Sequence, residues 1–155
     1  MKYLLTIFTL FLLACNENVQ SGEQTTVAEP SVPAKPAALT GCYQMFIGQD
    51  SAFLQILSDT GLIRGKLTYK RFEKDSNNGT FEGVMKNNVI KAWYRFNSEG
   101  VLSVRELFFR INGETLAEGY GDLGMRGDTA FFLYPTTVNY EDKHPFTKVT
   151  CTDKF

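Results

Sequence analysis

The sequence from Gly41 onward predicts an all-β domain, an antiparallel meander of about eight or nine strands. Apolar and polar residues alternate with a period of two: Ile63, Leu67 and Tyr69 share one side of a strand whose other side is polar. Turn-forming residues recur at short spacing between such runs. No window of about a dozen residues carries an apolar stripe at helical spacing. These observations are typical of an up-and-down barrel or a β-sandwich.

The strands can be placed between the turn signals. Turn-forming residues break the pattern at 58–61 (Ser-Asp-Thr-Gly), 87–88 (Asn-Asn), 97–100 (Asn-Ser-Glu-Gly) and 112–113 (Asn-Gly). A polar run at 73–79 makes a further break, and its Asn-Gly pair predicts a turn. We therefore expect strands near 42–48, 52–58, 62–71, 80–87, 89–97, 101–111, 115–122, 129–135 and 146–151.

The N-terminus carries an export signal. Lys2 precedes an almost unbroken apolar run over residues 3–14, which is too short to span a bilayer and fits a signal-peptide core. The run ends in Leu-Leu-Ala-Cys, which is similar to a bacterial lipobox, so Cys15 is expected to be lipid-modified and to become the mature N-terminus. The alternative is an ordinary secretory signal with a chance cysteine. Because acyl chains contribute about 0.8 kcal/mol per buried methylene, several chains would anchor the protein stably.

Residues 15–40 are predicted to be a lipidated, disordered tether. They contain no aromatic side chain and three of the chain's five prolines, a composition that cannot bury enough apolar surface to fold. As a flexible coil the segment would span roughly 25–30 Å. The domain at 41–155 is therefore expected to work at a distance from the membrane. The expected location is the bacterial cell envelope, with Asn16 after the lipobox compatible with transport to the outer membrane.

A closed barrel is the first choice of architecture, because the first and last strands could pair and close the sheet. Cys42 lies in the first predicted strand and Cys151 in the last. In an exported chain two remaining cysteines most simply form a disulfide, with two buried thiols as the alternative. Closing a loop of about 110 residues could stabilise the fold by as much as ~4–5 kcal/mol in the chain-entropy model. We therefore expect a small lipocalin-like barrel, with the β-sandwich as the alternative.

Charge and residue counts exclude several classes of function. The chain has 155 residues, 16 basic and 17 acidic side chains and a net charge of −1. From Gly41 onward basic and acidic residues number 14 each, which argues against nucleic-acid binding. The only histidine, His144, lies in a polar loop with no nucleophile arrangement around it, and no zinc-ligand spacing is left. We therefore predict no catalytic residue, no metal site and no cofactor.

One predicted strand carries charges on both faces. Arg105 and Glu106 are neighbours, and large apolar residues flank them on each face. One of the two is expected to point inward, where it must be paired or hydrogen-bonded. Glu118, on the next strand, could pair with Arg105 if the register places both on one face. The structural interpretation is an internal ion pair that fixes the register, and the functional one is a polar anchor inside a ligand cavity.

Several motifs resemble those of small uncharacterised lipoproteins of Bacteroidota. They are Asp50-Ser51-Ala52, Glu73-Lys74-Asp75-x-Asn77-x-Gly79, Ser98-Glu99-Gly100-x-x-Ser103-Val104-Arg105-Glu106 and Glu118-Gly119-Tyr120-Gly121. The resemblance covers roughly residues 41–125 and implies envelope localisation without a reaction. It also implies O-glycosylation where Asp precedes Ser or Thr and then a small residue, a pattern that Ser51 and Thr129 both fit. A turn hydrogen bond is the alternative explanation of the Asp-Ser pair.

The expected function is that of a non-catalytic, membrane-anchored lipoprotein that binds a small apolar molecule or an envelope partner. The alternative is a protein-interaction or inhibitor module that resembles lipid-anchored lysozyme inhibitors in architecture only. A third candidate is an enzyme using Arg, Glu and Tyr around Arg105 and Glu118. A filled barrel favours the interaction module, whereas an open cavity lined by aromatic side chains and a few charges favours ligand binding. No oligomeric state is predicted.

Overall fold

The computed structural model describes residues 38–74 and 76–153. The predicted signal peptide, the lipidation site Cys15 and the tether up to residue 37 lie outside these residues and stay predictions. Among the described residues, no helix has the length and apolar character needed to cross a membrane.

The described residues form eleven strands and one short 3-10 helix. The strands are β1 (Gly41–Ile47), β2 (Asp50–Ser58), β3 (Ile63–Lys70), β4 (Asn77–Lys86), β5 (Val89–Ser98), β6 (Val101–Asn112), β7 (Thr115–Tyr120), β8 (Leu123–Arg126), β9 (Thr129–Phe132), β10 (Asn139–Tyr140) and β11 (Phe146–Val149). The 3-10 helix spans Pro135–Thr137.

Eight of the strands close into an antiparallel barrel. Strands β1 to β7 pair in chain order, and β11 completes the ring by pairing with both β7 and β1. The predicted up-and-down barrel, closed by the first and last strands, is confirmed. A disulfide joins Cys42 to Cys151 as predicted, with the two Cα atoms 5.1 Å apart. Cys151 lies beyond the end of β11, however, and not within the last strand.

Large side chains fill the centre of the barrel. Alternate residues of β3 and β5 are buried, as their sequence alternation predicted. Tyr43, Leu54, Ile63, Leu67, Tyr94, Phe109 and Phe146 are each less than 2% exposed. Gly65 makes room for this packing, because a Cβ at that position would lie 2.5 Å from the ring of Phe81 and 2.1 Å from the carbonyl oxygen of Gln55. The middle of the barrel is therefore occupied by packed side chains.

The segment between β7 and β11 leaves the ring and packs outside it. Strand β9 pairs with β6 in parallel through Val104 and Arg105, and β10 pairs with the end of β7. The predicted strand at 129–135 is therefore not a barrel strand, and neither β8 nor β10 was predicted. The cause is a mismatch in length: β6 has 12 residues and β7 has 6, so β7 covers only Phe109–Asn112 of β6. The first half of β6 keeps an open edge, which β9 occupies.

Two of the predicted turn signals have different outcomes. Asn87 and Asn88 have positive φ angles of 51° and 58° and form the two-residue turn between β4 and β5. The turn expected at Asn78-Gly79 is wrong, because both residues belong to β4. Gly79 is required there by close packing, since a Cβ would lie 1.9 Å from the carbonyl oxygen of Arg95 on β5.

Candidate binding site at the barrel mouth

A pocket of about 390 Å³, the mouth pocket, opens at one end of the barrel. It lies where β1, β3 and β7 end and where β2 begins, and the wall parts there because β7 leaves β6 after Glu118. Its lining includes Met45, Ile47, Tyr69, Arg105, Glu118 and Tyr120, with Arg71 and two further carboxylates also among the lining residues. The volume lies within the range of small-molecule sites, roughly 300–1,000 Å³.

Two tyrosines separate the pocket from the filled centre. Tyr69 lines the pocket, and its ring packs edge-on against Tyr94 with the centroids 6.1 Å apart. The hydroxyl of Tyr94 donates a hydrogen bond to the carbonyl oxygen of Leu67 at 2.7 Å, and the hydroxyl of Tyr69 donates one to Oε1 of Glu118 at 2.6 Å. Burial raises the pKa of both hydroxyls. Both therefore stay protonated and act as hydrogen-bond donors.

Glu118 lies on the inner face of β7 with a desolvated carboxyl group, although the residue as a whole is only half-buried. Burial raises the pKa of this carboxyl above its usual 4.5. The hydrogen bond from Tyr69, followed by the positive charges of Arg105 and Arg71, opposes the rise. The site therefore holds a carboxyl group that takes up a proton more readily than an ordinary glutamate.

Arg105 and Glu118 both lie on the inner face of the barrel wall. The sequence made their pairing conditional on this register. Phe109 is directly opposite Glu118 in the register, and Arg105 precedes Phe109 by four positions along β6, an even number that places both on one face. No ion pair within 4.0 Å joins the side chains of Arg105 and Glu118, although the charge of Arg105 opposes the burial-driven rise in the pKa of Glu118, and the hydroxyl of Tyr69 donates a hydrogen bond to Glu118. The Nε of Arg105 is buried and has no hydrogen-bond partner among the described residues. An ion pair that fixes the register is therefore not formed.

Glu106 does not belong to the interior, contrary to its inclusion in the predicted polar anchor. It faces outward and is nevertheless only 3% exposed, because β9 covers it. Its Oε1 lies 2.7 Å from Nζ of Lys91, and its Oε2 accepts a hydrogen bond from the backbone N–H of Phe132 at 2.8 Å. The Phe132 ring packs edge-on against Phe108, with the centroids 5.2 Å apart. Glu106 therefore fastens the hairpin of β8 and β9, which packs outside the ring, to the barrel wall.

The remaining predicted residues lie at the surface or at the rim of the pocket. Ser51 is the second residue of β2 and lines the pocket, while Thr129 begins β9 and its hydroxyl donates a hydrogen bond to Asp128 at 3.2 Å. His144 is exposed, with its Nδ1 3.6 Å from Glu141. Within residues 38–74 and 76–153 no cluster of His, Cys, Asp or Glu could hold a metal ion.

Sequence reasoning missed Tyr69 and Arg71 as parts of the site. Tyr69 is the last inward residue of the alternating strand β3, and alternation alone predicts only that such a residue is buried. The available signal was its position at a strand end, where an inward side chain reaches the mouth of the barrel. Arg71 directly follows the same strand.

A larger depression of about 770 Å³ lies on the outer face of β2 to β5. Its walls include outward-facing side chains such as Lys66, Thr68 and Arg95. These are the exposed polar positions of the alternating strands. The depression therefore lacks the desolvated polar groups that distinguish the mouth pocket.

No protein-family model matches the chain, and comparisons with curated proteins and with solved structures found no significant similarity. The function is therefore argued from the mouth pocket itself.

Proposed function

We propose that this protein is a non-catalytic lipoprotein of the bacterial cell envelope whose barrel binds a small amphipathic molecule at its mouth. The observation that carries the proposal is the composition of the mouth pocket. Met45, Ile47 and Tyr120 supply apolar surface beside Arg105, whose buried Nε has no partner among the described residues. Small-molecule sites typically combine an apolar lining with a few polar groups that orient the ligand.

The position of the pocket in the fold suits a tethered binding protein. The barrel begins at Gly41, at the end of β1 opposite to the pocket, and the Cys42–Cys151 disulfide lies at that same far end. Strand β1 separates the two ends by about 20 Å. A tether that joins the barrel at Gly41 would therefore attach at the end far from the pocket and leave the mouth unobstructed.

The filled centre of the barrel favours a second candidate, a protein-interaction module. Strand β8 pairs only with β9 among the described residues, and Met125 on it is 67% exposed. An apolar edge strand of this kind can add a strand from a partner. We place this candidate second because it leaves the mouth pocket and its unpartnered arginine without a role.

Native mass spectrometry of the lipoprotein purified from its own envelope tests the proposal. Ile47→Trp should fill the pocket, because Ile47 lines it and is 40% exposed, so a larger side chain can be accommodated. Val84→Trp is the matched control, since Val84 is 51% exposed on β4 and does not line the mouth pocket. We expect a small non-covalent mass on the wild type and on Val84→Trp but not on Ile47→Trp. A wild type with no bound mass would contradict the proposal, as would a mass retained by Ile47→Trp.

A further inference from the structure

The carboxylates of the mouth pocket already accept hydrogen bonds from the protein. Oδ1 of Asp50 accepts one from the backbone N–H of Phe72 at 2.8 Å. Oε1 of Glu141 accepts one from the backbone N–H of Lys143 at 2.9 Å. Oε1 of Glu118 accepts one from the hydroxyl of Tyr69 at 2.6 Å. The bonds of Glu118 and Asp50 join separate segments of the pocket wall, that of Glu141 is local, and each carboxylate offers only part of its accepting capacity to a ligand.

The side chains of the pocket's two arginines, unlike its carboxylates, have no hydrogen-bond partner among the described residues. Neither guanidinium group of Arg71 and Arg105 has a hydrogen bond or an ion pair with another described residue. The Nε of Arg105 is also buried, and a buried donor without an acceptor destabilises the protein that carries it. The pocket therefore offers a ligand two cationic donor groups that no described residue engages.

We propose that the molecule bound at the mouth is an amphipathic carboxylate. Its anionic group accepts hydrogen bonds from Arg105 and Arg71, and its apolar part lies against Met45, Ile47 and Tyr120. This inference rests on the proposed function and specifies the chemistry of the molecule that the pocket takes.

The charges around the pocket favour a carboxylate over a phosphate. A planar guanidinium group can bind either anion through two parallel N–H donors. A phosphate carries close to two negative charges and would be repelled more strongly by Asp50, Glu118 and Glu141, which line the same pocket.

Isothermal titration calorimetry with four octyl compounds tests the inference. The protein is the mature chain with Cys15→Ser, which needs no detergent, and the probes are octanoate, octanol, octylammonium and octyl phosphate. We expect octanoate to bind roughly tenfold or more tightly than octanol, because a hydrogen bond to a charged group discriminates at that level. Octylammonium should bind more weakly than octanol, and octyl phosphate more weakly than octanoate.

Three variants identify the groups responsible. Arg105→Met should weaken octanoate binding about tenfold or more and change octanol binding less than about twofold. Arg71→Met, at an exposed position that tolerates substitution, should weaken octanoate binding by a smaller factor in the same direction. Arg64→Met is the control, because Arg64 lies at the other end of β3 in an exposed ion pair with Glu82 and should leave both affinities unchanged.

The outcomes separate this inference from the proposed function. Octanol or octylammonium binding as tightly as octanoate would overturn the carboxylate inference and leave the binding function intact. Octyl phosphate binding more tightly than octanoate, or octanoate binding unaffected by both pocket arginine variants, would overturn it in the same way. If none of the octyl compounds binds and no mass co-purifies from the envelope, the proposed function fails as well.

Discussion

The ion pair between the buried Glu106 and the half-exposed Lys91 allows a quantitative test of how the hairpin of β8 and β9 is held to the barrel. The two carboxylate oxygens of Glu106 are divided between Nζ of Lys91 at 2.7 Å and the backbone N–H of Phe132 at 2.8 Å. The side chain of Glu106 is 4% exposed and that of Lys91 is 46% exposed. Removing one partner therefore has a very different cost from removing the other.

Lys91→Met should be the more damaging single change. It leaves a carboxylate under β9 without its counter-charge, which typically costs about 3–5 kcal/mol. Glu106→Gln keeps an acceptor for the N–H of Phe132, and Lys91 can be solvated because it is half exposed. Its cost should therefore be about 1 kcal/mol. The double variant removes both charges, and its stability should return to within about 1 kcal/mol of the wild type.

Urea unfolding of the mature Cys15→Ser chain, with the disulfide intact, measures these differences. The fluorescence of Trp93 provides a local signal, because Trp93 is directly opposite Glu106 in the register of β5 and β6. Far-ultraviolet circular dichroism follows the whole barrel. The two probes should give coincident transitions if the hairpin unfolds together with the barrel.

The exposed pair of Arg64 and Glu82 is the matched control for this cycle. Its atoms lie 2.6 Å apart, but the two side chains are 57% and 51% exposed. Breaking it with Arg64→Met should cost less than about 1 kcal/mol, because solvent screens the interaction. A cost for Lys91→Met no larger than that for Arg64→Met would refute the reasoning. Strict additivity of Lys91→Met and Glu106→Gln in the double variant would refute it equally.

Three further predictions concern the barrel itself. Replacing Cys42 and Cys151 together with alanine should lower the free energy of unfolding by about 2–4 kcal/mol, because the unfolded chain loses a long-range cross-link; an unchanged urea midpoint would contradict this. Gly65→Ala should cost about 1–3 kcal/mol through overpacking against the neighbouring strand, while Gly121→Ala, where a Cβ meets only ordinary contacts beginning at 3.4 Å, should be nearly neutral. Because folding raises the pKa of Glu118 above 4.5, its contribution to stability is full below pH 4.5 and is lost as the pH rises through the raised value. Glu118→Gln should therefore gain stability relative to the wild type as the pH rises through that window, measured by urea midpoints at several pH values; a pH-independent difference would show that the carboxyl is not desolvated.

Strand β6 shows how far sequence reasoning reached and where it stopped. The mixed charges on its two faces predicted that a charged residue points inward, and in the register Arg105 lies opposite the buried Tyr94 and on the face of Phe109. The alternation could not show that both faces of β6 are buried at residues 106–109, because Glu106 is covered by β9, a segment more than twenty residues further along the chain. The same limit applies to Glu118, whose hydrogen-bond partner Tyr69 is 49 residues away in the sequence.

By itself, the sequence determined the strands of the barrel, the side of each alternating strand that faces inward, and the disulfide at the end far from the pocket. These features follow from local alternation, turn chemistry and residue counts, all of which can be read along the chain. Only the tertiary structure decided that the segment before β11 packs outside the ring and that a pocket opens where β7 parts from β6. The physical reason is that alternation indicates which side chains are buried and not which segment buries them. The groups that line the mouth come from strands far apart in the sequence and meet only when the barrel closes.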